Sequence, residues 1–311
     1  MKLNNVLLST KQTAWEYLKN EHENPADVIP KEELDAIKKG HDAHYTALEH
    51  IRTILEKLGI PYQRVYQPYA AFDEFKGRDL VIAIGGDGTI LNTAHFILDK
   101  TPVLTVKSEP KSVGGLCTIN YTQFEEAIKN ILADKFKIEK WARIEGKMVR
   151  KQGEVNLRTT VGVRMDNKTD LALNEILIGP KYRSGAARYE IEFNGKKEVQ
   201  LSSGIIVSTG CGSAAWYRNI AGNDGSFSRE SDELRFIATE YDTAKGYRLV
   251  KGSIKPGDKF KIKSLMSING VASFDGDSNK RMYKFLTGNE MEIKASDKPL
   301  YVIIPQNTGG K

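Results

Sequence analysis

The chain has 311 residues, 40% of them apolar, and a mean hydropathy of −0.43, which is typical of a globular protein of two ordinary domains. Its net charge of +6 is distributed along the chain without a basic stripe interleaved with aromatic residues, so nucleic-acid binding is not expected. No apolar run approaches the length of a membrane-spanning helix, so no membrane association is expected either.

The N-terminal residues and the cysteine content both favour a cytoplasmic protein. The start, "MKLNNVLLSTKQTAW", is too polar for a secretory leader and too poor in arginine for a transit peptide. Cys117 and Cys211 are the only cysteines, which is too few for a disulfide framework, so we expect both thiols to be reduced.

Strand and helix patterns alternate over residues 1–136. A first strand in "NNVLLST" precedes a long amphipathic helix, "KEELDAIKKGHDAHYTALEHIRTILEKLG", which Gly59 and Pro61 end. A strand "DLVIAI", a helix from Thr89 to about Asp99, a strand "TPVLTVK" and a helix "QFEEAIKNILAD" follow. This alternation predicts an α/β domain with a parallel sheet.

His41 and His44 lie three residues apart on the long helix, and His50 lies beyond them. This spacing places two imidazoles on one helix face, but the sequence shows no fourth zinc ligand nearby. We therefore expect an exposed polar helix face and no zinc site.

The buried strand over 79–84 runs directly into a glycine-rich turn. Glycines let the backbone approach a ligand, and the N–H groups of the following helix attract anions. A tight strand-to-helix turn would explain glycines alone, but a carboxylate among them indicates a group that binds a metal, takes a proton or holds a hydroxyl. Leu91 breaks a G-x-G-x-x-G fingerprint started at the second glycine, and no Walker motif occurs. The turn predicts a phosphoryl-transfer site, and its residues are Gly85, Gly86, Asp87, Gly88 and Thr89.

Short alternating segments replace the helices over residues 137–295. The Asn194-Gly195 pair between two of them is a strong hairpin signal. We predict a mostly antiparallel β domain here. The C-terminal segment 296–311 contains the strand "PLYVIIP", which we expect to return to the first domain.

Asn174 and Glu175 interrupt the apolar segment "LALNEILIG". Burying this pair costs stability unless both side chains find partners. The pair either binds the hydroxyls or the amide of a sugar or base, or one of its members faces solvent on an edge strand.

A loop of small residues, "STGCGS" over 208–213, follows the apolar run "GIIV" and precedes a predicted helix start with Trp216 and Tyr217. Its hydroxyls and amides suit polar ligand atoms, and an aromatic ring nearby suits an adenine face. The alternative is that Ser213 caps the helix and Trp216 belongs to the core. Cys211 has no neighbouring histidine in sequence, so we interpret it as a packing residue.

Taken together and in this order, these motifs resemble those of the NAD kinase family. The family pattern is a GGDGT turn, a later NE pair, a loop like STPTGSTAY and a late DGQ-type turn. Here they are residues 85–89, 174–175, 208–216 and 274–277. The segment "TVKSEPKSVGGLC" is similar to a longer insertion in the branch that includes the mitochondrial NAD kinases of animals and their bacterial relatives.

Five positions depart from the family pattern. Ala214-Ala215-Trp216 replaces Thr-Ala-Tyr, Ser203 replaces an Asp, Asp277 replaces the final Gln, and Lys107 replaces a common Asn. These departures concern contacts to the nicotinamide side, substrate affinity and the choice between NAD and NADH.

The resemblance implies transfer of the γ-phosphoryl group of ATP to the 2′-hydroxyl of the adenosine ribose of NAD, with Mg²⁺ or another divalent cation. It implies an α/β domain and a β domain with the active site between them, in a homodimer or larger assembly. Asp87 is then the proton acceptor or orienting group. The implied nucleotide-binding residues are Gly85, Gly86, Gly88, Thr89, Asn174, Glu175, Ser208, Thr209, Gly212, Ser213, Ala215 and Trp216.

Two other functions share these features. Lipid and sphingoid-base kinases have the GGDG turn, although the Asn174-Glu175 and Ser208–Trp216 stretches favour a nucleotide acceptor. A catalytically silent NAD(P)-binding regulator would keep the pocket, and Ala214 and Ser203 fit such a loss, whereas Asp87 favours an active enzyme.

Overall fold

The computed structural model describes residues 1–150, 169–182, 184–276 and 281–306. Residues 155–165, which belong to the predicted β domain, and Asp277 lie outside the described residues. The chain divides into two compact units, which are Met1–Glu139 with the strand Leu300–Pro305, and Lys140–Pro299.

The first unit is built on a parallel sheet. Its strands are β1 (Val6–Thr10), β2 (Tyr62–Tyr66), β3 (Leu80–Gly85), β4 (Val103–Lys107), β5 (Ile119–Asn120), β6 (Phe136–Trp141) and β19 (Leu300–Pro305). Their order is β2-β1-β3-β4-β19-β6, with β5 paired to β4, and the ladders from β2 to β19 are parallel. All six residues of β3 are buried, so this strand lies at the centre of the unit.

Helices connect the strands of this sheet. They are α1 (Ala14–Glu21), α2 (Lys31–Lys57), α3 (Phe72–Phe75), α4 (Asp87–Phe96) and α5 (Phe124–Leu132). In α2, Leu48, Ile51 and Leu55 join the buried cluster of the sheet, and Gly59 ends the helical run at a φ of +66°. The α/β class predicted from the alternating patterns is confirmed.

The helices of the first unit differ from the prediction in two places. Helix α4 spans Asp87–Phe96 and not 89–99, because Gly86 is already extended and its carbonyl accepts the N–H of Thr89 at 2.9 Å. Helix α1 was not predicted. It begins with a capping box in which Thr13 and Glu16 exchange hydrogen bonds, a local signal that the sequence "TAWE" carries.

The second unit consists of antiparallel sheets. Its elements are β7 (Ile144–Arg150), β8 (Thr169–Ala172), β9 (Glu175–Pro180), β10 (Ala187–Phe193), β11 (Lys196–Ser202), β12 (Gly204–Ser208), α6 (Trp216–Ala221), β13 (Leu234–Thr239), β14 (Lys251–Ile254), β15 (Phe260–Ser264), β16 (Gly270–Phe274), β17 (Met282–Lys284) and β18 (Asn289–Ala295). Two six-stranded sheets have the orders β11-β10-β15-β18-β7-β8 and β14-β13-β12-β9-β16-β17. One apolar cluster contains residues of both sheets, among them Ile176, Ile205, Ile262 and Met291. The predicted antiparallel β fold is confirmed.

The hairpin between β10 and β11 turns at the predicted pair. Asn194 and Gly195 have φ values of +48° and +82°, and Phe193 pairs with Lys196 across the turn. Positive φ at both central positions matches the twist of the two strands, which is why Asn-Gly serves here.

Among the described residues, no helix is both long and apolar enough to cross a membrane.

Candidate active site

The glycines at the end of β3 have different local roles. A Cβ on Gly85 would lie 2.1 Å from the Oγ1 of Thr89, so this glycine is needed for the helix to start against the strand. A Cβ on Gly86 or Gly88 would have no atom within 4 Å. The strand-to-helix turn therefore accounts for Gly85, and it leaves open space beside Gly86 and Gly88 for a ligand to approach the backbone.

Asp87 is the first residue of α4 and its side chain is half-buried. Its Oδ2 accepts the N–H of Gly115 at 2.9 Å, and its Oδ1 accepts the N–H of Leu116 at 3.0 Å. A Cβ on Gly114 would lie 2.7 Å from Oδ1, so the backbone of this loop passes directly over the carboxylate. Each oxygen has a further lone pair for a ligand hydroxyl.

A buried amide holds the first turn of α4 in place. The Nε2 of Gln67 donates to the carbonyl of Thr89 at 2.9 Å, to the Oγ1 of Thr93 at 2.9 Å and to the Oγ of Ser9 at 3.1 Å. All four side chains are buried. No local sequence pattern marks this network, since isolated polar residues in apolar segments have no spacing that relates them.

The Asn174-Glu175 pair does not interrupt a strand and does not lie at a sheet edge. Asn174 occupies the bend between β8 and β9, and Glu175 opens β9, an inner strand of its sheet. Asn174 is 8% exposed and Glu175 is 6% exposed, so the solvent-facing alternative is wrong. The Oδ1 of Asn174 and the Oε2 of Glu175 have no hydrogen-bond partner in the described part of the chain. Two buried acceptors without partners are costly in a free protein and indicate a polar ligand.

Asp275 shapes the backbone of this bend. Its Oδ2 accepts the N–H of Leu173 at 2.9 Å, and its Oδ1 accepts those of Asn174 at 2.6 Å and Glu175 at 3.3 Å. The peptide of Asp275 also donates to the carbonyl of Glu175 at 2.9 Å. The turn Phe274-Asp275-Gly276 (the FDG turn) therefore holds the bend at Asn174-Glu175 (the NE bend) in its conformation.

Arg281 in turn joins Asp275 to Asp170. Its Nη1 donates to the Oδ2 of Asp275 at 3.1 Å, and its Nε and Nη2 donate to the two carboxylate oxygens of Asp170, each at 3.2 Å. The hydroxyl of Tyr283 donates to Asp170 at 2.7 Å. Ionised side chains are this fully buried only when they are paired and hydrogen-bonded, so these residues depend on one another and form one buried ion-pair cluster. No local sequence pattern marks Arg281, Asp170 or Tyr283 as residues that support the site.

Glu175 is protonated at neutral pH in this environment. Its burial and then the charge of Asp275 raise the pKa of the Glu175 carboxyl to about 8. A protonated carboxyl donates one hydrogen bond and accepts others, so Glu175 can both give and receive bonds at a ligand's hydroxyls.

The loop 208–213 packs directly on the NE bend. Ser208 of β12 pairs with Glu175 of β9, and the N–H of Thr209 donates to the carbonyl of Asn174 at 2.9 Å. A Cβ on Gly212 would lie 2.2 Å from the same carbonyl oxygen, so only glycine fits there. The structure thus brings the NE pair, this loop and the FDG turn together within the second unit.

The capping role considered for Ser213 is wrong. Its Oγ donates to the carbonyl of Gly210 at 2.7 Å and accepts the N–H of Phe227 at 3.0 Å, while α6 begins at Trp216 without a side-chain cap. The hydroxyls of Ser208 and Thr209 also bond backbone carbonyls. Ala215 and Trp216 are half-buried, so their surfaces are available to a ligand. Cys211 is buried, as its packing interpretation predicts.

The expected exposed histidine face is wrong for His44. This side chain is 1% exposed and packs on the inner face of α2, and neither ring nitrogen has a hydrogen-bond partner in the described ranges. Burial, with the charge of Lys11, lowers the pKa of His44 to about 4, so the imidazole is neutral at physiological pH. Within the described residues, no group of three or more His, Cys, Asp or Glu side chains could hold a metal ion.

A surface cavity of about 500 Å³ on the second unit contains none of the residues predicted for the site. Charged side chains such as Lys147, Lys261 and Glu292 line it, and Lys261 pairs with Glu292 at 2.8 Å. This is a solvated face of the sheet that includes β15, β18 and β7.

The comparisons with known proteins concern the same regions. Residues 11–136 match the family model described as the ATP-NAD kinase N-terminal domain. The human protein named NAD kinase 2, mitochondrial, is 32% identical over 209 residues, which cover 58% of this chain and 47% of the human protein. The chain therefore spans about half the length of this curated relative.

Two solved structures share the fold. The yeast NADH kinase, solved with NADH, superposes with a TM-score of 0.71 at 13% identity over 98% of this chain and 84% of its own. An NAD kinase from Archaeoglobus fulgidus, solved with ATP, has a TM-score of 0.64 at 16% identity, and the match covers 99% of this chain and 94% of the archaeal one.

Proposed function

We propose that the chain is an NAD kinase, which transfers the γ-phosphoryl group of ATP to the 2′-hydroxyl of the adenosine ribose of NAD and gives NADP; the family-model match and the similarity to the human protein support this. The observation that carries the proposal is the glycine turn at the end of β3. It presents the Asp87 carboxylate beside two glycines with open space, inside the part of the chain that the family model matches.

Asp87 acts on the acceptor hydroxyl. As the bond between the ribose oxygen and the γ-phosphorus forms, the bond from phosphorus to the bridging oxygen of ADP breaks, and the hydroxyl proton passes to Asp87. The two N–H groups of Gly115 and Leu116 fix the carboxylate in one orientation, which keeps its remaining lone pairs aimed in a constant direction. Gly86 and Gly88 let phosphate oxygens come close to the start of α4.

Asn174 and Glu175 bind the acceptor nucleotide. Their unpartnered oxygens accept from ribose hydroxyls or a base amino group, and the protonated Glu175 donates in addition. Ala215 and Trp216 cover the adenine, while Ser208, Thr209, Gly212 and Ser213 keep the loop in shape through their contacts with the backbone.

The donor is ATP with a divalent cation, in our proposal Mg²⁺. The archaeal relative was solved with ATP, which supports this donor. Mg²⁺ in kinases is held by one or two carboxylates and by substrate phosphates, and the oxygens of Asp87 are hard ligands of that type. When bound, the ion neutralises developing phosphate charge.

We further propose that the protein works in the cytoplasm as a homodimer or larger assembly. Its two cysteines are too few for a disulfide framework, which suits a reducing compartment. Light scattering of the purified protein measures the assembly, and cell fractionation measures the location.

The test is a coupled assay of NADP formation from NAD and Mg·ATP, with wild type beside Asp87→Asn. Asparagine keeps the size of the side chain and cannot take the proton, so we expect the rate to fall by roughly 10²–10⁴-fold with little change in melting temperature. NADP formation at a near-normal rate by the variant would remove Asp87 from the mechanism. No NADP from wild type, with NAD bound in calorimetry, would replace the kinase by a silent NAD-binding protein.

A further inference from the structure

Lys107 lies at the same edge of the sheet as the glycine turn. It is the last residue of β4, and it stands opposite Gly85 in the parallel ladder of β3 and β4. Open α/β sheets bind their ligands at the carboxyl ends of such strands. We propose that Lys107 is a further catalytic residue, whose ammonium binds the phosphoryl group during its transfer. The inference rests on the proposed function.

The ammonium is held in place by the loop that also covers Asp87. Its Nζ donates to the carbonyl of Ser112 at 3.0 Å and to that of Gly114 at 3.3 Å. These are two acceptors for three N–H groups, so among the described residues one donor of the ammonium is left for a ligand. The side chain is half-buried, which fixes the charge and leaves it accessible.

Lys107 and Asp87 contact consecutive groups of one short segment. Lys107 binds the carbonyl of Gly114, and Asp87 binds the N–H of Gly115, which belongs to the same peptide. The oxygen and nitrogen of one peptide are about 2.3 Å apart, so the distance from Nζ to the Oδ2 of Asp87 is at most about 8.5 Å. Both charged groups therefore lie at one edge of the sheet, close enough together to contact one polyphosphate chain.

The pKa of the Cys117 thiol also indicates that Lys107 and Asp87 lie close together. Burial and then the charge of Asp87 raise the pKa of Cys117, the charge of Lys107 lowers it, and the net pKa is about 11. Both charges therefore reach one point beside the carbonyl of Gly85, to which the thiol donates at 3.7 Å.

The chemistry needs a cation at this place. A loose phosphoryl transition state carries its charge on the equatorial oxygens, and lysine binds such oxygens as a point charge. Lys107 transfers no proton: the hydroxyl proton passes to Asp87, and Lys107 stabilises charge on the group that moves from ADP to the ribose.

A purely structural role would be to hold the loop through Ser112 and Gly114. Three variants separate the two roles. Lys107→Gln keeps N–H donors for the carbonyls and loses the charge, Lys107→Arg keeps the charge, and Lys107→Met loses both. Lys111→Met removes an exposed charge from the same loop and is the matched control.

The first measurement is calorimetric binding of inorganic tripolyphosphate without metal, which needs no kinase activity. We expect Lys107→Gln and Lys107→Met to weaken binding by about 10–100-fold, as the loss of one charge-assisted hydrogen bond implies, and Lys107→Arg to retain most of it. Lys111→Met should bind like wild type. Unchanged binding by Lys107→Met, or wild-type binding by Lys107→Gln, would overturn the inference.

The second measurement is NADP formation by the same proteins. The uncharged variants should lose kcat by about 10–100-fold while the KM for NAD stays within twofold, because the charge acts on the phosphoryl group and not on the acceptor. A fall in kcat for Lys107→Met that Lys107→Gln fully restores would assign Lys107 to the loop alone. Phosphate binding through Lys107 in a wild type that makes no NADP would instead overturn the proposed function and leave the phosphate contact intact.

Discussion

Arg281 and Asp275 form an ion pair in the interior of the second unit, with Nη1 donating to Oδ2 at 3.1 Å and each side chain 3% exposed. The carboxylate of Asp275 also accepts hydrogen bonds from three consecutive N–H groups at the NE bend. The guanidinium therefore balances the charge that holds Asn174 and Glu175 in position, although it touches neither of their side chains in the described hydrogen bonds.

Arg281→Met should destabilise the protein by about 3–5 kcal/mol, because it leaves Asp170 and Asp275 as buried carboxylates without their cation. Urea unfolding followed by circular dichroism measures this loss. Arg188→Met removes an exposed arginine of the same unit and should change stability by less than about 0.5 kcal/mol. Equal losses of stability for the two substitutions would show that Arg281 is not needed to neutralise Asp170 and Asp275.

The pKa of Glu175 can be observed directly. In protein labelled with ¹³C at the glutamate carboxyl, one resonance should titrate near pH 8 and be absent from Glu175→Gln. In Asp275→Asn, the same resonance should titrate at lower pH, because the second cause of the raised pKa has been removed. A Glu175 resonance that titrates near pH 4.5 would contradict the buried, protonated state.

The raised pKa of Glu175 also makes the free energy of unfolding depend on pH. A carboxyl that binds its proton more tightly in the folded state stabilises it below pH 4.5, and this contribution is lost as the pH rises through about 8. The free energy of unfolding of wild type should therefore fall by a few kcal/mol between pH 5 and pH 8.5, relative to Glu175→Gln measured in parallel. The same slope in both proteins would exclude this linkage.

His44 makes the opposite contribution in the first unit. Its folded pKa of about 4 lies below the ordinary 6.5, so the unfolded chain takes up a proton first as the pH falls. The free energy of unfolding should fall between pH 6.5 and pH 4, and His44→Leu should flatten this dependence. His50→Leu, at an exposed position of the same helix, should leave it unchanged.

The burial of His44 can be predicted from the helical spacing of the apolar residues in α2. His44 precedes Leu48 by four residues and Ile51 by seven, so it lies on the apolar face of α2 that the periodicity had identified. The residue type favoured an exposed position, whereas the spacing already indicated a buried one.

Periodicity and turn chemistry were sufficient for both fold classes, for the glycine turn and for the Asn194-Gly195 hairpin. They could not reach the Asp170–Arg281–Asp275 cluster, because Asp170 and Arg281 are 111 positions apart in the chain and meet only through the order of strands in the sheets. The same limit hid Gln67, whose partners Ser9 and Thr93 lie on two other elements. Local patterns predict elements and motifs, and the supports of a site come from tertiary contacts.

Gly85 and Gly86 are adjacent, and alanine at each should fail in a different way. A Cβ on Gly85 would lie 2.1 Å from the Oγ1 of Thr89, so Gly85→Ala should displace the start of α4 and cost about 1–3 kcal/mol. Gly86 has a φ of −118° and no atom within 4 Å of a Cβ, so Gly86→Ala should melt like wild type. Its methyl group would instead occupy the space that we assign to phosphate oxygens, which should raise the KM for ATP or lower kcat by about tenfold or more. Thermal melting and the NADP assay on both variants measure the two effects separately. A Gly86→Ala enzyme with unchanged kinetics would show that the phosphates do not pass this glycine.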